Sequence, residues 1–244
     1  MFRDRDGRLI RPFKQWGFLT MGVPGEATRA SYDRVAEAYA TRFFEELRGK
    51  PLDRALLGCL AEQVPDKLPV ADVGCGPGHI ARHLHELGVR TLGVDLSPRM
   101  IELARERTPE VPFQVGSMLA LDADDGAWGG IAAFYSIIHL TPGELPRAFA
   151  EFHRVLAPGG VLLLAFHTSP PPDLETDDGG VTHLDELLGE PVSLDFHFLD
   201  PAAIRSRLED AGLVVEVSVD RLPTDPAEAK TRRAYVIARK PLPG

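Results

Sequence analysis

From Pro69 onward, short apolar runs alternate with amphipathic segments of helical length, and this alternation restricts the chain to few folds. Pro69–Val73, Thr91–Val94, Phe113–Val115, Gly130–Tyr135 and Val161–Phe166 read as strands. Gly78–Leu87, Pro98–Arg107 and Pro142–Val155 read as helices, with Gly88 closing the first and A-P-G-G forming a turn after the last. Strands joined by helical crossovers run parallel. The run V-L-L-L-A-F in the fifth strand suits a strand covered on both faces. Leu213–Val219 and Ala234–Ala238 follow a helix at Pro201–Ala211 with no helix between them, so they are expected to pair antiparallel.

Upstream, Tyr32, Val35, Ala36, Tyr39, Phe43 and Leu47 recur at three- and four-residue steps, the stripe of an amphipathic helix starting near Thr28. Pro51 opens a second helix, which Pro65 ends. These helices, 27–66, are expected to cap a single domain spanning 27–244. Residues 1–26 mix charges and aromatics without a period. They read as a flexible extension, or as an addition upstream of a natural start at Met21. Residues 168–197 break the rhythm with P-P-P-D and D-D-G-G and read as a lid-like insertion. Within it, Asp173–Asp178 reads as a solvated acidic loop, and L-D-F-H-F as a wall or core strand.

Composition narrows the functional class. The 244 residues are 44% hydrophobic, enough for one domain with a full core. A net charge of -9 argues against general binding to nucleic acid or anionic membranes. Cys59 and Cys75 are too few for a disulfide framework and suit a reducing cytoplasm. The first twenty residues lack the apolar core of a secretory signal, and no run approaches the roughly 18 apolar residues of a membrane span. Abundant arginine, alanine, glycine and proline fit a GC-rich bacterial genome.

The stretch V-A-D-V-G-C-G-P-G-H-I places three glycines directly after a buried strand. Gly74, Gly76 and Gly78 let the backbone turn sharply and approach a ligand, and the following helix start offers unpaired amides. In an open parallel sheet, ligands sit beyond the carboxyl ends of the strands. A dinucleotide fits poorly, because the third glycine comes one position early for GxGxxG and Pro77 lacks an amide hydrogen. Asp95 ends the second strand, where a carboxylate can accept both hydroxyls of a ribose. Ser97, directly before Pro98, is the better helix cap and leaves Asp95 to a ligand.

D-V-G-C-G-P-G-H, G-V-D-L-S-P-R-M, F-Q-V-G-S-M and R-V-L-A-P-G-G-V-L-L-L, in that order, resemble the class I S-adenosylmethionine-dependent methyltransferases. Y-D-R-V-A-E-A-Y at Tyr32–Tyr39 and Y-S-I-I-H at Tyr135–His139 are similar to small bacterial members of that family. The resemblance implies a Rossmann-like α/β fold. Its seven-stranded, mainly parallel sheet would have order 3-2-1-4-5-7-6, with strand 7 antiparallel and helices on both faces. It also implies roles. Asp72 and Gly74 would face the methionine end of the cofactor, and Gly76 and Gly78 would give it room. Asp95 would hold the ribose, with Leu96 and Met100 near the adenine. Ser117 stands where many relatives carry Asp against the adenine amine, so it offers only a neutral hydrogen bond, and the Met118 amide would help. Ser136 would lie beneath the cofactor. Tyr32 and Tyr39 would reach its carboxylate, or serve as core packing.

Methyl transfer needs alignment first, and a base only where the acceptor must lose a proton early. His139 is the leading candidate for acceptor contact or base, and His197 the second. His167 and His183 lie in the same region, His79 reads as a helix-start residue, and no spacing suggests a metal. The expected activity is methyl transfer from S-adenosyl-L-methionine to a small-molecule acceptor, leaving S-adenosyl-L-homocysteine. The expected protein is cytoplasmic, monomeric or homodimeric, and free of nucleic-acid or membrane partners. Absence of (N/D)-P-P-(Y/F) after strand four also weighs against a nucleic-acid substrate. Aminocarboxypropyl transfer from the same cofactor and non-catalytic cofactor binding stay open.

Overall fold

A computed structural model describes residues 25–65, 68–171, 176–177, 179–224 and 228–244. Five parallel strands form the sheet's centre and one edge: β1 (Val70–Val73), β2 (Thr91–Asp95), β3 (Phe113–Val115), β4 (Trp128–Phe134) and β5 (Leu156–His167). A hairpin, β6 (Val181–Leu187) and β7 (Glu190–His197), stands apart from that sheet. The sheet is completed by β8 (Val214–Arg221) and β9 (Arg233–Arg239), giving the order β3-β2-β1-β4-β5-β9-β8. Counting only sheet strands, this is 3-2-1-4-5-7-6, with β9 antiparallel to both neighbours as expected.

The crossover helices are α3 (His79–Glu86), α4 (Pro98–Arg107), α5 (Leu145–Val155) and α6 (Pro201–Asp210), preceded by α1 (Glu26–Phe43) and α2 (Pro51–Gln63). They cover both faces of the sheet. Ile131, Leu162, Leu164 and Phe166 pack toward Phe149 and Phe152 of α5, while Ala132, Leu163 and Ala165 pack toward Leu57 and Leu60 of α2. The period-two alternation of a strand sends neighbouring residues to opposite cores. Every residue of β4 is buried, and so is β5 from Gly160 to Phe166, as a central strand requires.

Three expectations are corrected. A-P-G-G is not merely a turn before the fifth strand. Pairing with β4 already begins at Leu156, shifts register, and resumes at Val161, with Gly159 at φ 79 making the kink. The helix expected from Pro142 starts at Leu145, because the Glu144 carboxylate accepts the Thr141 amide and hydroxyl and holds those residues in a turn. Leu47 lies in a separate 3-10 turn, Glu46–Gly49, beyond the end of α1.

Residues 1–24 of the expected extension lie outside the described residues, as do 172 and, in the acidic loop, 173–175 and 178. Gly25 and Glu26, assigned to that extension, instead lead into α1 and border the main cavity. Within 168–197, residues 181–197 form the hairpin, which lies on α1. The Ser193 amide donates to Ser31 Oγ (2.9 Å), Ser31 donates back to the Ser193 carbonyl (3.2 Å), and Arg34 reaches the Pro191 carbonyl (2.9 Å). Val35, Val192 and Leu194 form the apolar seam between them. Among the described residues, no helix is long and apolar enough to cross a membrane.

Candidate functional site

A cavity of about 500 Å³ opens beyond the carboxyl ends of β1, β2 and β4, roofed by α1 and the hairpin. The glycine turn is its floor. Gly74 has φ 77, and a Cβ there would stand 2.2 Å from that of Ser136, so the tips of β1 and β4 meet without room for a side chain. Gly76 has φ 51, and its missing Cβ would meet only a ring carbon of Tyr39, at 3.9 Å. That open space belongs to the cavity, which the bare backbone of Gly76 therefore borders directly.

Asp95 stands beside this floor. Its Oδ2 accepts the Gly76 amide (2.8 Å) and its Oδ1 the Ser97 amide (2.8 Å). Each carboxylate oxygen can accept two hydrogen bonds, so both retain capacity toward the cavity. The carboxylate is thus engaged in holding the turn as well as facing the cavity. Burial raises its pKa, with the two amides working in the opposite direction. Ser97 is the cap of α4, accepting the Met100 amide (3.1 Å) while donating to Asp33 Oδ1 of α1 (2.6 Å).

Of the residues expected at a cofactor, Tyr32, Tyr39, Gly74, Gly76, Asp95, Leu96, Met100, Ser117, Met118 and Ser136 line the cavity. Ser117 Oγ accepts the Leu119 amide (3.2 Å), and Ser136 donates to the Val73 carbonyl (2.9 Å). Asp72 and Gly78 do not line it. The Asp72 carboxylate turns to the first turn of α3 and accepts the Ala81 amide (3.0 Å), one of the donors a helix start leaves unpaired. Burial pushes its pKa up to about 8. Gly78 makes room for packing rather than for a ligand, because a Cβ there would lie 2.8 Å from the Phe113 ring and 3.1 Å from Ala104.

Both candidate histidines line the cavity. His139 sits in the 3-10 turn Ile137–His139 after β4. Its Nδ1 lies 3.0 Å from the Asp195 carbonyl, an acceptor only, so Nδ1 carries the hydrogen. Nε2 then accepts from the Tyr32 hydroxyl at 2.8 Å. Burial holds the His139 pKa down to about 4. His197 ends β7 and is buried. His167 instead stacks on Tyr135 (centroids 4.7 Å apart) and pairs with Thr231, and burial holds its pKa down to about 3. His183 is exposed and pairs with Asp195 (2.7 Å), while His79 begins α3 and meets Glu46 (3.2 Å).

Sequence reasoning passed over Tyr135, which lines the cavity at φ 53. A non-glycine residue in the left-handed region marks stored strain of the kind found at binding sites. Thr28, Glu144 and Asp195 also border the cavity, and nothing in their local sequence distinguishes them from surface residues.

Comparison with known proteins matches residues 70–160 to a family described as "Methyltransferase domain". Curated relatives include a malonyl-[acyl-carrier protein] O-methyltransferase of Serratia marcescens, 29% identical over 59% of this chain and 53% of its own length. A ubiquinone biosynthesis O-methyltransferase of Xanthomonas oryzae pv. oryzae is 29% identical over 81% of this chain and 85% of its own. The chain thus spans about half the length of the malonyl relatives it matches. Among solved structures, a methyltransferase from Methanosarcina mazei superposes with a TM-score of 0.66 at 20% identity, covering 76% of this chain and 98% of that one. A geranyl diphosphate C-methyltransferase of Streptomyces coelicolor, solved with S-adenosyl-L-homocysteine, gives 0.60 at 18% identity over 77% and 75%. At such identities these structures establish the shared fold.

Proposed function

We propose that this chain, whose residues 70–160 match a methyltransferase domain, is a class I S-adenosylmethionine-dependent methyltransferase that transfers a methyl group to a small organic acceptor. The observation that carries the reading is the glycine floor. Gly76 presents bare backbone to the cavity while its amide fixes Asp95 at the cavity edge. Residues of this kind fit the cofactor: a carboxylate for ribose hydroxyls, Leu96 and Met100 as apolar walls, Ser117 and Met118 for the base. When bound, S-adenosylmethionine supplies a methyl group on a positively charged sulfur that leaves as a neutral thioether.

The chain's own residues align and enclose. The curated relatives named above are O-methyltransferases, which favours methyl transfer over aminocarboxypropyl transfer. Tyr32 and His139, with His197 beside them, form a polar wall on the acceptor side. Held neutral, with its Nε2 lone pair occupied, His139 orients Tyr32 rather than removing a proton. The hairpin closes the site from water, which strengthens polar contacts inside. We further assign the chain from Gly25 onward to one domain, with the hairpin as its lid, and place the protein in the cytoplasm.

Calorimetric titration with S-adenosylmethionine and S-adenosylhomocysteine tests this. Micromolar binding of both is expected. No binding by folded protein would overturn the reading. Product mass separates methyl from aminocarboxypropyl transfer.

A further inference from the structure

A second cavity, also about 500 Å³, adjoins the first. Tyr32, Tyr39 and Tyr135 line both, so the two cavities meet at these side chains. The two chambers differ in charge. Glu26, Asp95, Glu144 and Asp195 border the first, with no lysine or arginine among its described lining. Arg42, Lys50 and Arg233 border the second.

The carboxylates of the second chamber are already neutralised. Glu45 pairs with Arg82 (2.9 Å), Glu46 with Lys50 (2.8 Å), and Glu228 with Arg221 (2.7 Å) and Arg233 (3.2 Å). Cationic capacity remains. Among the described residues Arg42 makes no ion pair, and the buried Arg233 Nε has no hydrogen-bond partner. Lys50 Nζ gives one of its three donors to Glu46 and lies 5.3 Å from the centre of the Tyr135 ring, placing an ammonium where the two cavities meet. Apart from His167, the rest of the lining is apolar, chiefly from Phe43, Ile138, Leu184, Leu187 and Phe196.

The groups where the two cavities meet are poorly placed to take a proton. His139 Nε2 accepts the Tyr32 hydroxyl, and His167 Nδ1 is paired with Thr231. Burial lowers the basicity of both imidazoles. An acceptor that is already an anion needs no base.

We propose that the second cavity is the acceptor chamber and that its acceptor is an apolar or aromatic carboxylate, held with the carboxylate beside Lys50 where the two cavities meet. The inference rests on the cofactor reading of the first cavity. An attacking carboxylate oxygen forms an O–C bond as the methyl C–S bond breaks. The electron pair stays on sulfur, a methyl ester results, and no proton moves.

Naphthalene-2-carboxylate and naphthalene-2-carboxamide test it, titrated by fluorescence into the full chain with and without saturating S-adenosylhomocysteine. The carboxylate is expected to bind at least tenfold tighter than the amide. Lys50→Gln and, to a lesser degree, Arg42→Gln should remove that preference. Leu187→Trp, which fills the chamber, should weaken both probes and leave S-adenosylhomocysteine affinity unchanged. Formation of a methyl ester from the carboxylate, seen by mass, would add support. Equal binding of the two probes, or a preference that survives both charge variants, overturns the proposal even where S-adenosylhomocysteine binds normally. Failure of S-adenosylhomocysteine to bind overturns the cofactor reading instead, and the probe titrations without it still report on the second cavity.

Discussion

The Tyr32 hydroxyl lies 2.8 Å from Nε2 of His139 and donates to it. Since Nδ1 of the same ring donates to the Asp195 carbonyl, one imidazole joins α1, the turn after β4 and the hairpin. Both ring nitrogens are satisfied only in the neutral form with the hydrogen on Nδ1. Nitrogen-15 NMR of His139 is therefore expected to show that single tautomer at neutral pH, with protonation near pH 4. Titration at the ordinary histidine value would show that the ring is solvated and the three segments are not joined there.

Two buried groups should shape stability against pH in opposite senses. His139 has its pKa lowered on folding, so its contribution is present above about 6.5 and is lost as pH falls toward 4. Asp72 has its pKa raised to about 8, so its contribution is full below about 4 and is lost as pH rises toward 8. Asp72→Asn keeps a neutral side chain of the same shape. Urea midpoints measured from pH 4 to 8 should fall less steeply with rising pH in that variant. Identical pH slopes would mean that Asp72 is ionised throughout.

Asp95→Ala removes the carboxylate at the cavity edge and the acceptor of two loop amides. Cofactor affinity by calorimetry should drop at least tenfold, since hydrogen bonds to a charged group contribute about 1.5–3 kcal/mol. An unchanged Kd would place the ribose elsewhere.

Gly76→Ala puts a methyl into the cavity floor at a left-handed φ of 51°. A loss of about 1 kcal/mol in stability is expected from the strained backbone, together with at least tenfold weaker S-adenosylhomocysteine binding. Unimpaired binding would mean that the ligand does not approach this backbone.

Ser97→Ala deletes the cap of α4 and the tie to Asp33 on α1. The expected cost is about 1–2 kcal/mol, or a fall in Tm of roughly 2–8 °C by calorimetry. A Tm within a degree of the parent would show that the cap contributes nothing measurable.

The sheet was legible because its signals are local. Each helix carries a start or stop residue, such as Pro98 after Ser97 or Gly88 at φ 88, and right-handed crossovers leave few strand orders. The hairpin was not. Its turn, Leu188–Gly189, has φ of 55° and 82°, the conformation that favours Asn-Gly or Asp-Gly. With leucine in the first position, L-L-G-E gives no turn signal, so L-D-F-H-F reads as a wall or core strand without its partner, and Val181–Leu187 reads as irregular loop. The glycines differ in the same way. Spacing alone does not tell Gly76, open to the cavity, from Gly78, pressed on Phe113. The second chamber was invisible for another reason: Lys50, Tyr135 and Arg233 come from three distant stretches that only the folded sheet assembles.

Ser31 and Ser193 clasp each other across a separation of 162 residues, and both lie outside the matched domain at 70–160. The cofactor floor and the roof over it are thus written in separate stretches of the chain. A graft that imports a foreign hairpin must bring its partner helix as well, since either alone arrives without its clasp. Exchanged together, the two would replace the roof of the cavity while its glycine floor and Asp95 stay in place.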